Sequence, residues 1–231
     1  MAGEPAARTA LIIPALNEEE SIGATLDGVP PGLFAAVIVA DNGSTDRTAD
    51  IARRRGATVV FEPHRGYGAA CLRALASLPE GIQEVVFMQA DASEDPREAT
   101  ELLGPILSGQ ADLVIGSRTL GKPDPGALAA HQAIGNRLAT FLVERFYGYR
   151  YSDLGPFRAI RLDALRRLGL RERGYGWTIE MQIRALQHGL RVVEVPVRSH
   201  RRIGVSKVSG KLTASVLAGL RILWTVFKLC R

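Results

Sequence analysis

Apolar and polar positions in the first half of the chain fall into blocks. Short apolar runs at residues 9–14, 36–40, 57–61, 85–88 and 112–116 each end in polar residues, and most lead into a longer stretch of mixed character. Near-continuous apolar runs of this length predict strands buried on both faces. The mixed stretches predict helices. The first is led by Ala15-Leu16-Asn17-Glu18-Glu19-Glu20, whose acids suit the positive end of a helix. The second runs to Gly56, a C-terminal stop, and the third is opened by Gly66-Tyr67-Gly68 and reaches about Ser77. A fourth covers residues 98–108. Strand and helix alternating in this way predict a parallel sheet covered on both faces.

After Arg118 the pattern changes. Residues 120–126 are rich in Gly and Pro and predict a loop, followed by a long amphipathic helix over 127–147. A short strand is expected at 155–160, a helix at 178–188 stopped by Gly189, and a half-exposed strand at 191–197. The last helix, 212–229, carries a narrow polar stripe of Lys211, Ser215, Ala218, Arg221, Thr225 and Lys228 in an otherwise apolar surface that includes Trp224 and Phe227. Eighteen residues with two charges are a poor bilayer span. They suit a membrane surface, or packing on this domain or another subunit.

Charge sharpens this division. The chain has 231 residues and a net charge of +5, but residues 1–115 hold 8 basic and 17 acidic side chains, whereas residues 116–231 hold 21 and 7. Of the 29 basic residues 25 are arginine, the side chain suited to forked phosphate contacts. A basic second half, with six basic groups over 198–211 counting His200, suggests a polyanionic partner: phosphate, anionic lipid or nucleic acid. The alternative is a solvated basic face. Cys71 and Cys230 are far apart and form no metal or redox motif, so a reducing compartment is expected. Residues 1–9 have no apolar core and do not read as a signal peptide.

The chemistry concentrates where the apolar runs stop. After Val85-Val86-Phe87-Met88 come Gln89, Asp91 and Ser93, which in extended backbone would point to one side. All three offer oxygen and suit a hard cation such as Mg²⁺ or Mn²⁺. The plainer alternative is a strand-to-helix turn with a capping acid, closed by Asp95-Pro96. In a parallel sheet the ends of three runs converge: residues 14–18, 41–46 and 89–93. Asp41 can serve a base or ribose and Asp91 a diphosphate-bound cation; as a mere helix cap Asp41 would have no ligand. No G-x-G-x-x-G follows the first run and no G-x-x-x-x-G-K-[ST] occurs, which counts against a dinucleotide fold and a P-loop.

Pro14-Ala15-Leu16-Asn17-Glu18, Asp41-Asn42-Gly43-Ser44-Thr45-Asp46, Gly66-Tyr67-Gly68-Ala69-Ala70 and Gln89-Ala90-Asp91-Ala92-Ser93 together resemble family 2 glycosyltransferases, especially dolichyl- and polyprenyl-phosphate mannose or glucose synthases. Gly116-Ser117-Arg118, Asp153-Leu154-Gly155-Pro156-Phe157-Arg158, Glu194-Val195-Pro196-Val197 and Arg202-Ile203-Gly204-Val205-Ser206-Lys207 agree, so the resemblance covers about residues 9–211. It implies an α/β GT-A fold, a Rossmann-like nucleotide-sugar-binding architecture with a mostly parallel central sheet flanked by helices. The implied division is a transferase domain over 1–210, with a nucleotide-sugar half at about 9–118 and an acceptor half at about 119–210, then the C-terminal amphipathic helix over 211–231.

The resemblance further implies that Pro14, Ala15, Asn17, Glu18, Asp41, Gly66, Gln89 and Asp91 bind the donor, and that Gln89, Asp91 and Ser93 match the metal triplet. Here the family's first Asp is Gln89, an amide that can ligate but brings no charge. The activity implied is inverting, metal-dependent transfer of a hexose from GDP-mannose or UDP-glucose to a polyprenyl phosphate. Arg118, Arg137, Arg202 and Lys207 are candidates for the acceptor phosphate, and Asp91, Arg118 and Asp153 for catalysis. Asp153 or Glu180 could be the base toward a hydroxyl acceptor, and Asp153 could instead pair with Arg158. Location at the cytoplasmic face of a membrane is expected, with the last helix meeting anionic lipid, a membrane subunit or a second copy. Three alternatives remain open: transfer to a soluble hydroxyl acceptor, a sugar nucleotidyltransferase, and a non-catalytic nucleotide-sugar-binding module. Nucleic acid is disfavoured, because the basic region lacks interleaved aromatics.

Overall fold

The apolar runs fold as the strands of one seven-stranded sheet. The structure, a computed structural model, describes residues 8–127, 130–204 and 212–230. In chain order the elements are β1 (Thr9–Ala15), α1 (Ile22–Asp27), β2 (Ala36–Asp41), α2 (Thr48–Arg54), β3 (Thr58–Phe61), α3 (Tyr67–Leu75) and β4 (Glu84–Phe87). A short 3₁₀ turn (Pro96–Glu98) leads to α4 (Ala99–Leu107), β5 (Leu113–Ser117), α5 (Ala130–Tyr147), β6 (Arg158–Arg161), α6 (Leu162–Leu168), α7 (Trp177–Gln187), β7 (Val192–Pro196) and α8 (Leu212–Leu229). The sheet order is β3-β2-β1-β4-β6-β5-β7. All strands run parallel except β6, which pairs antiparallel with β4 and β5.

Alternation along the strands divides the interior in two. Ala10 and Ile12 of β1 face a core with Phe87, Trp177, Val143 and Val226, which α3, α5, α6, α7 and α8 cover. Leu11 and Ile13 face the opposite core with Ile22, Leu26, Ala52 and Leu102, under α1, α2 and α4. Each fully buried Val, Leu, Ile or Phe among these contributes roughly 1.5–3 kcal/mol. The strands with unbroken apolar sequence are therefore the ones packed on both sides, while β3 and β7 form the half-exposed edges.

Three local expectations change. Residues 89–93 are not extended: Ala92 takes a left-handed backbone with φ 58°, and the chain folds back into a turn. Residues 162–168, which carried no predicted element, form α6, a helix with no loop before it that ends at Gly169 in left-handed backbone. The polar stripe of α8 partly faces inward, since Thr225 and Val226 are buried whereas Leu220, Trp224 and Phe227 are about half exposed. Arg221 reaches down to Glu172 at 2.9 Å, and Tyr147 Oη donates to the Val226 carbonyl at 3.2 Å. Among the described residues no helix is long and apolar enough to cross a membrane.

Because β1, β2, β4, β5 and β7 run the same way, their carboxyl ends share one edge of the sheet. The antiparallel β6 begins at that same edge, so the loop before it, 153–157, joins the strand ends there.

Candidate functional site

The ends of β1 and β2 are locked together by side chains. Ala15 lies beside Asp41 in the parallel register. Asn17 sits in left-handed backbone, φ 52°, where its N–H donates to Ser44 Oγ at 2.9 Å and its Oδ1 accepts from Thr45 N at 2.7 Å. Glu18 N donates to Thr48 Oγ1 at 2.7 Å. Asp41 is buried and accepts from Ser44 N at 3.0 Å. It does not cap α2, and the Thr48 N–H at the start of that helix goes to Asp46 Oδ1 at 2.9 Å. Asn42, which drew no attention in the sequence, joins three segments, donating to the Glu62 and His64 carbonyls and accepting from Gly66 N at 2.7 Å. Gly66 admits a close backbone approach, but the approaching backbone is this chain's own. A Cβ there would collide with the Arg173 carbonyl oxygen, and φ is 150°.

The turn after β4 gathers more than its three expected residues. Thr25 of α1 is buried and staples the turn, donating to the Ala90 carbonyl at 3.0 Å and accepting from Ala92 N at 3.1 Å. Ser93 N donates to Asp91 Oδ1 at 3.1 Å, and Ser93 Oγ lies 3.4 Å from Gln89 Oε1. Glu94, outside the expected set, is drawn in as well: its Oε2 accepts from Gln89 N at 2.8 Å. Burial pushes the Glu94 carboxyl up to about 8; the bond from Gln89 opposes that rise and the charge of Asp91 adds to it. A cleft of about 320 Å³ lies on the α1 side of this turn, lined by Thr25, Glu94, Asp95, Pro96 and His200 among others.

Arg118 and Asp153 meet at the same edge. Arg118 Nε and backbone N donate to Asp153 Oδ2 at 2.8 and 2.9 Å, and Nη2 donates to Oδ1 at 2.8 Å. Burial works against the charge of Arg118, but the Asp153 carboxylate outweighs it and raises the guanidinium pKa. Asp153 does not pair with Arg158. Arg158 is fully buried and donates to the carbonyls of Leu154, Gly155 and Thr178. Glu194 accepts from the backbone of Ser152 and Asp153, and Asn136 Oδ1 accepts from Leu154 N at 2.8 Å. The loop that presents Asp153 is thus bonded from β6, β7 and α5. Glu180 is placed elsewhere: it is buried on α7, accepting from Arg171 N, Glu172 N and Arg184 Nε.

The other basic candidates separate. Arg202 enters the site, with Nη2 3.3 Å from Glu18 Oε1 and Nη1 3.4 Å from Asp91 Oδ2. Its segment is strapped to the β4 turn, as His200 N donates to the Ser93 carbonyl and Ile203 N to the Asp91 carbonyl. Arg137 is exposed on α5, one residue from Asn136. Lys207 lies outside the described residues.

No group of three or more Asp, Glu, His or Cys among the described residues could hold a metal. What the turn offers is oxygen alone: the Asp91 and Glu94 carboxylates, the Gln89 amide and the Ser93 hydroxyl. That set fits a hard cation that keeps waters and takes further oxygens from a substrate diphosphate, the usual way Mg²⁺ is held.

The sequence matches the model of glycosyl transferase family 2 over residues 10–169. The chain belongs to this family. It is 38% identical over 210 residues to an uncharacterised glycosyltransferase of Mycobacterium tuberculosis, covering 90% of this chain and 93% of that one. An undecaprenyl-phosphate mannosyltransferase of Micrococcus luteus is 32% identical over 233 residues, with 92% of each chain covered. The glucosyl-3-phosphoglycerate synthase of Mycobacterium tuberculosis, solved with Mn²⁺, UDP and glucosyl-3-phosphoglycerate, superposes with a TM-score of 0.78 at 26% identity, over 96% of this chain and 79% of that one. The protein is a family 2 glycosyltransferase with the GT-A fold. In this glycosyltransferase, sequence reasoning missed Thr25, Asn42 and Glu94. The signal for Glu94 was an acid in the polar turn that ends β4; Thr25 and Asn42 act only through folded contacts.

Proposed function

We propose that this glycosyltransferase transfers a hexose, with inversion, from a nucleoside-diphosphate sugar to a polyprenyl phosphate, with Mg²⁺ or Mn²⁺ as cofactor. The observation that carries the reading is the Arg118–Asp153 pair. Both oxygens of the one expected base at this edge are engaged by Arg118, so neither is free to face the hydroxyl of an acceptor. A hydroxyl acceptor needs its proton removed; a phosphate acceptor arrives as an oxyanion and needs only to be placed. Arg118 Nη1 has no partner among the described residues and can donate to that phosphate. Asp153 then acts as the positioning residue that aims Arg118.

On the donor side Asp41 receives the base or ribose, and Gln89 and Asp91 face the diphosphate. A bound divalent cation would neutralise charge growing on the leaving diphosphate. Arg202, resting against Glu18 and Asp91, can turn its guanidinium from these carboxylates to a phosphate once donor is present. The likeness to the Micrococcus luteus enzyme supports a lipid phosphate acceptor. The likeness to glucosyl-3-phosphoglycerate synthase supports a second reading, a small phosphorylated acceptor.

A further feature favours the lipid. Ile134, Leu138 and Phe141 are exposed on one face of α5, Leu220, Trp224 and Phe227 are exposed on α8, and Phe146 meets Phe227 edge to face at 5.6 Å. Arg221 and Lys228 both lie over the Trp224 ring, at 4.8 and 4.7 Å. Apolar rings beside basic groups suit an anionic leaflet, the peripheral cytoplasmic location expected from the sequence. Sedimentation with anionic vesicles should weaken but persist as salt rises, and Trp224→Glu should remove most of it. Equal sedimentation of the two proteins would reject this face. The reaction itself is tested by a screen of UDP- and GDP-sugars against short-chain polyprenyl phosphate and 3-phosphoglycerate, with product mass as the readout. Transfer to the soluble acceptor alone would overturn the lipid reading.

A further inference from the structure

We propose that Glu94 is the second carboxyl ligand of the cation site, set against the position where Gln89 brings no charge. This rests on the cation-dependent reading of the same turn and adds to it a residue and a reason. A divalent cation between a protein and a diphosphate is held more tightly by each negative group around it. The end of β4 offers Asp91 and a neutral amide at position 89. The left-handed backbone of Ala92 doubles the chain back after Asp91. Glu94 is thereby returned to the strand end, where its Oε2 meets the backbone N–H of Gln89 at 2.8 Å. A carboxylate five residues along the chain thus stands against the backbone of the position that lacks one.

Its surroundings set Glu94, like Asp41, apart from the buried acids that are paired with an arginine. Glu94 is 4% exposed, yet no Lys or Arg among the described residues forms an ion pair with it. Asp91 has Arg202, Asp153 has Arg118, Glu172 has Arg221 and Glu180 has Arg184. Its second oxygen, Oε1, accepts no hydrogen bond among the described residues. Buried carboxylates are as a rule paired with a base or bound to a metal. Glu94 has no base in contact, only the charges of Arg118 and Arg158 farther off, and it lies beside Asp91, which faces the cation in the proposed reading. Gln89 is neutral, so the two side chains share the strand end without repulsion, and Ser93 Oγ bridges toward Gln89 Oε1.

The test is Mn²⁺ binding to the full chain, read from the electron paramagnetic resonance signal of the free ion, with and without UDP or GDP. Glu94→Gln keeps the volume and the acceptor for the Gln89 N–H but removes the charge, so a structural clamp would survive it. We expect the Mn²⁺ dissociation constant to rise about tenfold or more. Placing Gln89→Asp in the same chain should restore most of the affinity, and Gln89→Asp alone should gain less than about threefold. Glu94→Gln within about twofold of the wild type, while Asp91→Asn abolishes binding, would overturn the role of Glu94 and leave the cation reading standing. Unchanged Mn²⁺ binding in Asp91→Asn as well would overturn both. Should thermal melting show that Glu94→Gln does not fold, Gln89→Asp alone decides. A gain of about tenfold or more means that position 89 had an unfilled charge deficit and refutes the proposal, and a small gain supports it.

Discussion

Two buried aspartates stand at the same edge of the sheet and are held in opposite ways. Asp153 is clamped: three nitrogens of Arg118 reach its carboxylate at 2.8–2.9 Å, and the loop that carries it is bonded from β6, β7 and α5. Asp91 is held through backbone. Its turn is stapled by Thr25, its side chain takes one N–H from Ser93, and the guanidinium that pairs with it among the described residues, that of Arg202, stands off at 3.4 Å. The Asp153 carboxylate is consumed by structure, whereas that of Asp91 stays available to a ligand. An acid at a strand end is thus assigned by how completely its oxygens are taken, and exposure does not separate the pair, since both are at most 5% exposed.

The comparison breaks most sharply at Asp91. Asp91→Ala should lower transfer by about a thousandfold or more, the scale of losing a main electrostatic stabiliser of the leaving group. The melting temperature should hardly move, because Thr25 still fixes the turn. Transfer of labelled sugar and a thermal melt measured on one preparation check both halves. A variant that loses activity only because it unfolds would place Asp91 with Asp153.

For Asp153 the expectation is reversed. Asp153→Ala leaves a mostly buried arginine without its partner, which costs about 3–5 kcal/mol of stability. Denaturant unfolding measures this directly. An Arg118→Met, Asp153→Leu double variant should regain much of the stability and none of the transfer. If the single variant keeps full stability, the pair is not the structural clamp that its hydrogen bonds describe.

Asp41 falls between these cases, buried with a single bond from Ser44 N. Asp41→Ala should weaken binding of the bare nucleoside diphosphate by about tenfold, the worth of one charge-assisted hydrogen bond. Calorimetry with UDP and GDP tests this, and unaltered affinity would leave Asp41 as a loop-forming residue only.

Much of this scaffold was legible in the sequence, for a reason the cores make plain. β1, β2, β4 and β5 are largely buried on both faces, so they had to be unbroken apolar runs, and the turns after them had to hold the polar chemistry. The antiparallel direction of β6 was not legible, because local pattern encodes burial and not strand sense. α6 escaped because it follows β6 with no turn residue between Arg161 and Leu162; only the spacing of Leu162, Leu165 and Leu168 betrays it. The places of Asp91 and Asp41 at neighbouring strand ends could be read from position. The partner of Asp153 could not: Arg118 lies 35 residues away, and the nearer Arg158 turned out to bond carbonyls instead. Glu94 was passed over because an alternating reading of residues 89–93 ends one residue short of it, and only the left-handed Ala92 brings it back.

A third aspartate completes the series away from the site. Asp112 precedes β5, at the opposite end of that strand from Ser117, and binds Arg191 at the start of β7. Arg191 N and Nε donate to Oδ2 at 3.0 Å, and Nη2 donates to Oδ1 at 2.9 Å. The bonds from Arg191 lower the Asp112 pKa to about 2, although burial opposes them. The folded value lies below the usual carboxylate value of about 3.9, so the ionised form favours the fold. That stabilisation is complete above about pH 4 and fades as pH falls through the folded value near 2. Its size is limited, because the Arg191 side chain is 54% exposed and water screens the pair. Asp112→Asn should therefore lower the melting temperature at pH 7 by only about 2 °C, and the gap to the wild type should shrink between pH 4 and pH 2. Melting curves of both proteins across that range measure it. A gap that stays constant with pH would mean that the amide costs only hydrogen-bond geometry, and that the Asp112 clamp, unlike that of Asp153, contributes no electrostatic stability.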